Sequence, residues 1–169
     1  DVASRALTAE HVAPTDLVVA FGPGAAVPRR RWPLDHFAAL GAWLITELKA
    51  RLVLIGGPGE EALGKELQRR IGAGVVDVVG RLTLRQSAAL LKRAHLYIGN
   101  DSGPLHLAAA AGIPVVEISC HPQEGNQRHP SSPKRFGPWT AAASVLQPHG
   151  AVAPCGDACE AAEAHCIQA

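Results

Sequence analysis

Short runs of aliphatic and β-branched residues alternate in this chain with longer stretches where apolar side chains return every three or four positions. The runs Leu17–Phe21, Leu52–Ile55, Val75–Val79, Leu96–Gly99, Val115–Ile118 and Ala143–Leu146 predict strands. The middle ones are continuously apolar, as strands buried on both faces of a parallel sheet are. Between them, Phe37, Leu40, Leu44 and Leu48 mark one helix with Pro33 at its first turn, and Leu63, Leu67 and Ile71 mark a second. Thr83-Leu84-Arg85-Gln86 has capping-box spacing and opens a third. A fourth runs from about Pro104 to Ala111, with Gly112 placed to end it. The alternation predicts βαβ units and therefore an α/β fold, a Rossmann-like parallel sheet flanked by helices.

Composition narrows function more than fold. Lys and Arg number 16 against 15 Asp and Glu, a net charge of +1, which argues against a nucleic-acid or membrane-surface partner. Basic residues cluster only locally, at Arg29-Arg30-Arg31 and Lys134-Arg135. No apolar run approaches the roughly 20 residues of a bilayer span, and no signal peptide is evident; the expected location is cytoplasmic. The 169 residues begin at Asp1 and include no Met, so the chain reads as a fragment, a processed product or an excised domain.

Polar, glycine-rich segments follow the strands, where ligands of open α/β sheets bind. After Leu96–Gly99 comes Asn100-Asp101-Ser102-Gly103-Pro104-Leu105-His106, a strand running straight into a helix. Open amides and the positive end of the helix dipole suit an anion there. Gly103 lets backbone approach a phosphate, Ser102 adds a hydroxyl and His106 lies one turn on. An ordinary helix cap with a solvent-facing His explains the same residues equally well. After the first strand, Phe21-Gly22-Pro23-Gly24-Ala25-Ala26 leads to Arg29-Arg30-Arg31-Trp32-Pro33, whose guanidinium forks match phosphate oxygens, although a solvated basic turn would read the same. After the second, Gly56-Gly57-Pro58-Gly59-Glu60 offers a carboxylate to ribose or sugar hydroxyls, or simply to the dipole of the next helix.

Cys155, Cys159 and Cys166 stand as C-x3-C-x6-C with His165 adjacent, and Cys120 lies far upstream. The tail lacks the paired C-x2-C knuckles of common zinc sites, so free thiols and no metal are expected. From His121 to Pro138 the chain is polar and Pro-rich, a loop long enough to suggest function.

Taken in order, Arg30-Arg31-Trp32-Pro33, Leu54-Ile55-Gly56-Gly57-Pro58 with Glu60, Gly80 with Leu82-Thr83-Leu84, Asp101-Ser102-Gly103-Pro104-Leu105-His106-Leu107-Ala108-Ala109-Ala110 and Gly112-Ile113-Pro114-Val115-Val116 resemble the C-terminal half of the bacterial heptosyltransferases. These are the lipopolysaccharide-core members of glycosyltransferase family nine. The resemblance implies the C-terminal half of a GT-B fold, and an inverting transfer of heptose from ADP-heptose to the lipopolysaccharide inner core. Residues 1–16 would be an incoming linker or helix end, 17–150 the donor domain and 151–169 a Cys-containing tail. It also implies roles: Asp101 at the donor sugar, Ser102 and Gly103 on the diphosphate with His106 in support, Glu60 on the ribose, and Arg30 on phosphate or sugar where relatives usually carry Lys. Gly24 and Ala25 would line the phosphates, Ala25 replacing a hydroxyl residue found in several relatives. No cofactor is implied, and asp–arg chemistry at Asp101 and Arg30 would only stabilise the donor. The general base and the acceptor contacts would come from an N-terminal domain outside this chain, and the complete enzyme would have at most a peripheral association with the inner membrane.

The resemblance weakens beyond the fifth strand. Ser119-Cys120-His121-Pro122 stands where relatives usually read F-G-x-(T/S)-x-P, and the loop before Phe136-Gly137-Pro138-Trp139 is longer. Half of a sugar-nucleotide epimerase, or a non-catalytic nucleotide-binding or interaction domain, also fits the residues.

Overall fold

The computed structural model describes residues 12–140 and 142–168; most of the expected incoming segment, residues 1–11, lies outside them. Six strands form one sheet: β1 (Val18–Gly22), β2 (Arg51–Leu54), β3 (Val75–Asp77), β4 (Leu96–Asn100), β5 (Val115–Ile118) and β6 (Ala143–Leu146). Every pairing is parallel and the spatial order is β3-β2-β1-β4-β5-β6. The helices are α1 (Leu34–Leu48), α2 (Glu61–Ile71), α3 (Leu84–Leu91), α4 (Gly103–Ala111) and a single turn, α5 (Pro133–Phe136).

All six expected strands form, the last two with the expected bounds and the first four with shifted ends. The third stops at Asp77 because the Asp77 carboxylate accepts the Val79 N–H at 3.0 Å and turns the chain. Alternate residues of each strand face opposite layers. Val18, Ala20, Val53 and Tyr97 pack with Leu90, Leu91, Leu105 and Ala108 of α3 and α4. Val19, Phe21, Leu52, Leu54 and Ile98 pack with Phe37, Leu44 and Leu67 of α1 and α2. In α1 the expected stripe holds at Phe37 and Leu44, but Leu48 is exposed, because the helix ends there and the chain turns away at Lys49 with φ 54°.

The local signals act as their chemistry requires. Thr83 Oγ1 accepts the Gln86 N–H and Gln86 Oε1 accepts the Thr83 N–H, closing the capping box. Gly112 ends α4 at φ 83°, a left-handed conformation that costs glycine little. Residues 151–168 form no α-helix or strand, yet they do not hang free: Cys159, Cys166 and Ile167 are buried in the α1/α2 layer.

Candidate functional site

Strand order reverses between β1 and β4, and the crevice beyond their carboxyl ends is where such sheets take ligands. A cleft of about 780 Å³ opens there, in the range of small-molecule sites. Ala25, Arg30, Glu60, Asp101, Ser102, Gly103 and His106 all line it. Three separate loops thus bring the expected residues to one place.

Asn100, the last residue of β4, organises the crevice. Fully buried, it donates from Nδ2 to the Pro23 carbonyl at 2.8 Å and accepts the Trp32 N–H on Oδ1 at 2.9 Å. One amide therefore ties the β1 loop and the arginine segment to the end of β4. Its neighbour Asp101 forms an ion pair with Arg30 at 2.9 Å, and both side chains are mostly buried. Arg30 also donates to Ser131 Oγ at 3.1 Å, while Arg31 donates from Nε to the Ala25 carbonyl at 2.9 Å.

The helix-cap reading of Ser102 holds for the backbone and not for the side chain. Ser102 is the N-cap of α4 by backbone, but its side chain makes no capping hydrogen bond, and Asp101 is engaged with Arg30 instead. Among the described residues the first-turn amides of α4 have no side-chain acceptor, the arrangement that favours an anion. Gly103 sharpens the point. A Cβ there would meet nothing within 4 Å, so no packing within the chain requires glycine. Gly103→Ala is expected to leave the melting temperature unchanged or slightly raised, while weakening anion binding at this turn by about tenfold. Parallel thermal melts and titrations separate the two effects; a loss of stability with full binding would place the glycine in the fold and outside the site.

Glu60 takes up a position between two loops. Its Oε2 accepts the Gly57 N–H at 2.9 Å, and a Cβ on Gly24 would fall 2.0 Å from its Oε1. Gly24 thus does not line the cleft itself but makes room for the Glu60 carboxylate that does. His106 lies with Nε2 3.7 Å from Asp101 Oδ1, beyond hydrogen-bond reach. The polar 121–138 loop supplies one wall through Pro130 and Phe136, and positions Ser131 for Arg30.

These residues and their fold agree with known proteins. The family model for glycosyltransferase family 9 (heptosyltransferase) matches residues 1–164. The chain belongs to glycosyltransferase family 9. Among curated relatives, lipooligosaccharide heptosyltransferase 2 of Haemophilus influenzae is 28% identical over 135 residues, 77% of this chain and 36% of that protein. Among solved structures, Escherichia coli ADP-heptose LPS heptosyltransferase II superimposes with a TM-score of 0.73 at 25% identity, over 96% of this chain and 45% of that one. The E. coli heptosyltransferase WaaC with ADP gives a TM-score of 0.65 at 25% identity, over 88% and 43%. This chain therefore spans well under half the length of these relatives. Its sheet is one half of their GT-B fold.

Beneath the family motif lie two groups that sequence reasoning missed. Glu117 of β5 is 1% exposed, with Oε2 unpartnered among the described residues. Burial, and then the nearby Asp101 charge, push its carboxyl up to about 8; Ser119 and Arg30 pull the other way. A carboxylate inside the apolar run Val115-Val116-Glu117-Ile118 was the available signal. Tyr97, fully buried, lays its ring over the paired Gly22 and Gly99, where any Cβ would collide with the phenol. Burial drives its hydroxyl well above the usual phenol range. No helix among the described residues is long and apolar enough to cross a membrane.

Proposed function

We propose that this chain is the donor-binding half of an inverting heptosyltransferase of lipopolysaccharide core assembly, and that it takes ADP-heptose. The observation that carries this reading is the Arg30–Asp101 pair set beside the uncapped N-terminus of α4, at the point where strand order reverses. Two things a nucleoside diphosphate sugar needs meet there: cationic and amide donors for the diphosphate, and a carboxylate for sugar hydroxyls. The heptosyltransferase structure holding ADP and the one named for ADP-heptose support the choice of nucleotide. Family membership also favours glycosyl transfer over the epimerase reading.

In an inverting transfer, an acceptor hydroxyl attacks the anomeric carbon, a base takes its proton, and the nucleoside diphosphate departs with both electrons of the broken bond. Arg30, the α4 amides and Ser102 stabilise the charge that gathers on that leaving group. Asp101 holds Arg30 in place and presents its carboxylate to the sugar. The two carboxylates of the cleft both have other duties: Asp101 is paired with Arg30, and Glu60 with the Gly57 amide. The base and the acceptor site belong, in this reading, to a second Rossmann-like domain facing the cleft, and this half alone binds donor without transferring sugar.

Isothermal titration of the folded chain with ADP, ADP-heptose and UDP-sugars tests the reading. Binding of the two adenine ligands, weaker in high salt, and none of the uridine ligands is the expected result. Failure of all of them to bind a chain that melts cooperatively would defeat it.

A further inference from the structure

The tail beyond β6 carries a second cluster of chemistry, outside the cleft. Sulfurs of Cys155, Cys159 and Cys166 and a ring nitrogen of His165 all lie within 4.8 Å of one another. Two of the four residues, Cys159 and Cys166, are completely buried; the other two are half-buried. All three sulfurs belong to free cysteines.

We propose that Cys155, Cys159, His165 and Cys166 form a tetrahedral structural site for a thiophilic divalent cation, Zn2+ by its ligand set. Geometry is the first ground. A tetrahedral centre with metal–sulfur bonds of about 2.3 Å and metal–nitrogen bonds of about 2.0–2.1 Å holds sulfur and nitrogen ligands roughly 3.5–3.6 Å apart. His165 Nδ1 lies 3.6 Å from Cys155 Sγ and 3.5 Å from Cys166 Sγ. A thiol-to-imidazole hydrogen bond accounts for one such contact, because the nitrogen has a single lone pair in the ring plane. It does not account for two sulfurs converging on that nitrogen with a third close by. A common centre accounts for all of them.

The second ground is what the segment lacks. Residues 151–168 form neither α-helix nor strand, and their backbone makes few internal hydrogen bonds, such as Cys155 N–H to the Val152 carbonyl at 2.9 Å. Yet the segment places two thiols wholly inside the core. A metal clip supplies order that hydrogen-bonded secondary structure does not, as in small metal-stapled folds. The Val152 N–H donates to Cys166 Sγ at 3.5 Å, the outer-shell support that thiolate ligands take. Three sulfurs and one imidazole are a borderline-soft set suited to zinc and poorly suited to magnesium or calcium.

The clip has a structural reach. Within the Cys155–Cys159 loop, the Asp157 carbonyl accepts the Asn126 N–H at 2.7 Å, and Asn126 belongs to the loop that brings Ser131 to Arg30. The expectation of free thiols and no metal is therefore revised. It rested on the missing C-x2-C knuckles, whereas the fold closes the set with a histidine adjacent to the last cysteine.

Metal analysis of the chain, produced with zinc in the medium and purified under reductant without chelator, tests this. The expected content is about one zinc per chain, and Co2+ exchanged into the site should show the visible bands of a tetrahedral thiolate complex. Cys155→Ser and His165→Asn, both at half-buried positions, should fold and lose the metal; Cys120→Ser, a buried thiol outside the cluster, should keep it. Chelation should lower the melting temperature of the wild-type chain and leave that of Cys155→Ser unmoved. The proposal is overturned if the wild-type chain carries no zinc, if mass spectrometry finds a disulfide among the three cysteines, or if both variants retain metal as the wild type does. None of these readouts depends on donor binding.

Discussion

Asp101→Asn in the complete glycosyltransferase should lower turnover by about 10²–10³-fold while changing ADP affinity by no more than a few-fold. The split follows from the charges. Arg30 and Asp101 form an ion pair at 2.9 Å beside the N-terminus of α4, so a bound diphosphate meets both the guanidinium it needs and a carboxylate that repels it. Removing the carboxylate charge frees Arg30 for the diphosphate and relieves the repulsion; ground-state binding of ADP has little to lose. What is lost is the orientation of the guanidinium and the carboxylate offered to the sugar, and these matter when charge develops on the leaving group. Arg30→Ala should behave differently, losing ADP affinity and turnover together, and in addition leaving Asp101 without its partner. Steady-state kinetics and titration calorimetry on both variants check the pair. Equal losses of affinity and turnover in Asp101→Asn would mean that the carboxylate acts on nucleotide binding as a whole, against the role assigned to it.

How far this site was readable from sequence depends on which residues carry short-range signals. The strand-to-helix turn at Asp101-Ser102-Gly103 announced itself because strand, turn and helix are contiguous, and local chemistry decided each. Arg30 and Glu60 were recognisable as chemistry but not as neighbours of Asp101; their meeting depends on β1 lying next to β4, and no local pattern encodes strand order. The same long-range adjacency hid Asn100, which looks like a turn residue and acts as the buried tie between segments 68 and 77 residues away. The tail is a different case: its spacing was visible, but the convergence of Cys155, Cys159, His165 and Cys166 on one point depends on the fold. Glu117 was passed over because a strand reading assigns apolar residues to a buried run and has no place for a charge that the site itself perturbs.

Glu117 therefore makes a second, independent prediction. Its carboxyl is raised from the ordinary value of 4.5 to about 8 in the folded chain, chiefly by burial and then by the Asp101 charge. Between those two pH values the folded state holds a proton that the unfolded state has released, so unfolding becomes easier as pH rises. The stabilising contribution is complete below about pH 4.5 and is lost progressively until about pH 8, the reverse of a salt-bridged carboxylate. Glu117→Gln removes the ionisation in both states and keeps the side chain's size. It should stabilise the chain by up to about 3 kcal/mol at pH 7, with little change at pH 4.5. A gain of that size corresponds to several degrees in melting temperature for a domain this long. Denaturant melts of both proteins from pH 4.5 to 8.5 give the curves; if they run parallel, Glu117 does not carry the extra proton. Asp101→Asn supplies the internal check, because removing the charge that helps hold that proton should lower the Glu117 pKa, so that the stability loss ends at a lower pH and is smaller. One substitution in the cleft and one beneath it would then report on the same electrostatic coupling, the first through turnover and the second through the pH dependence of folding.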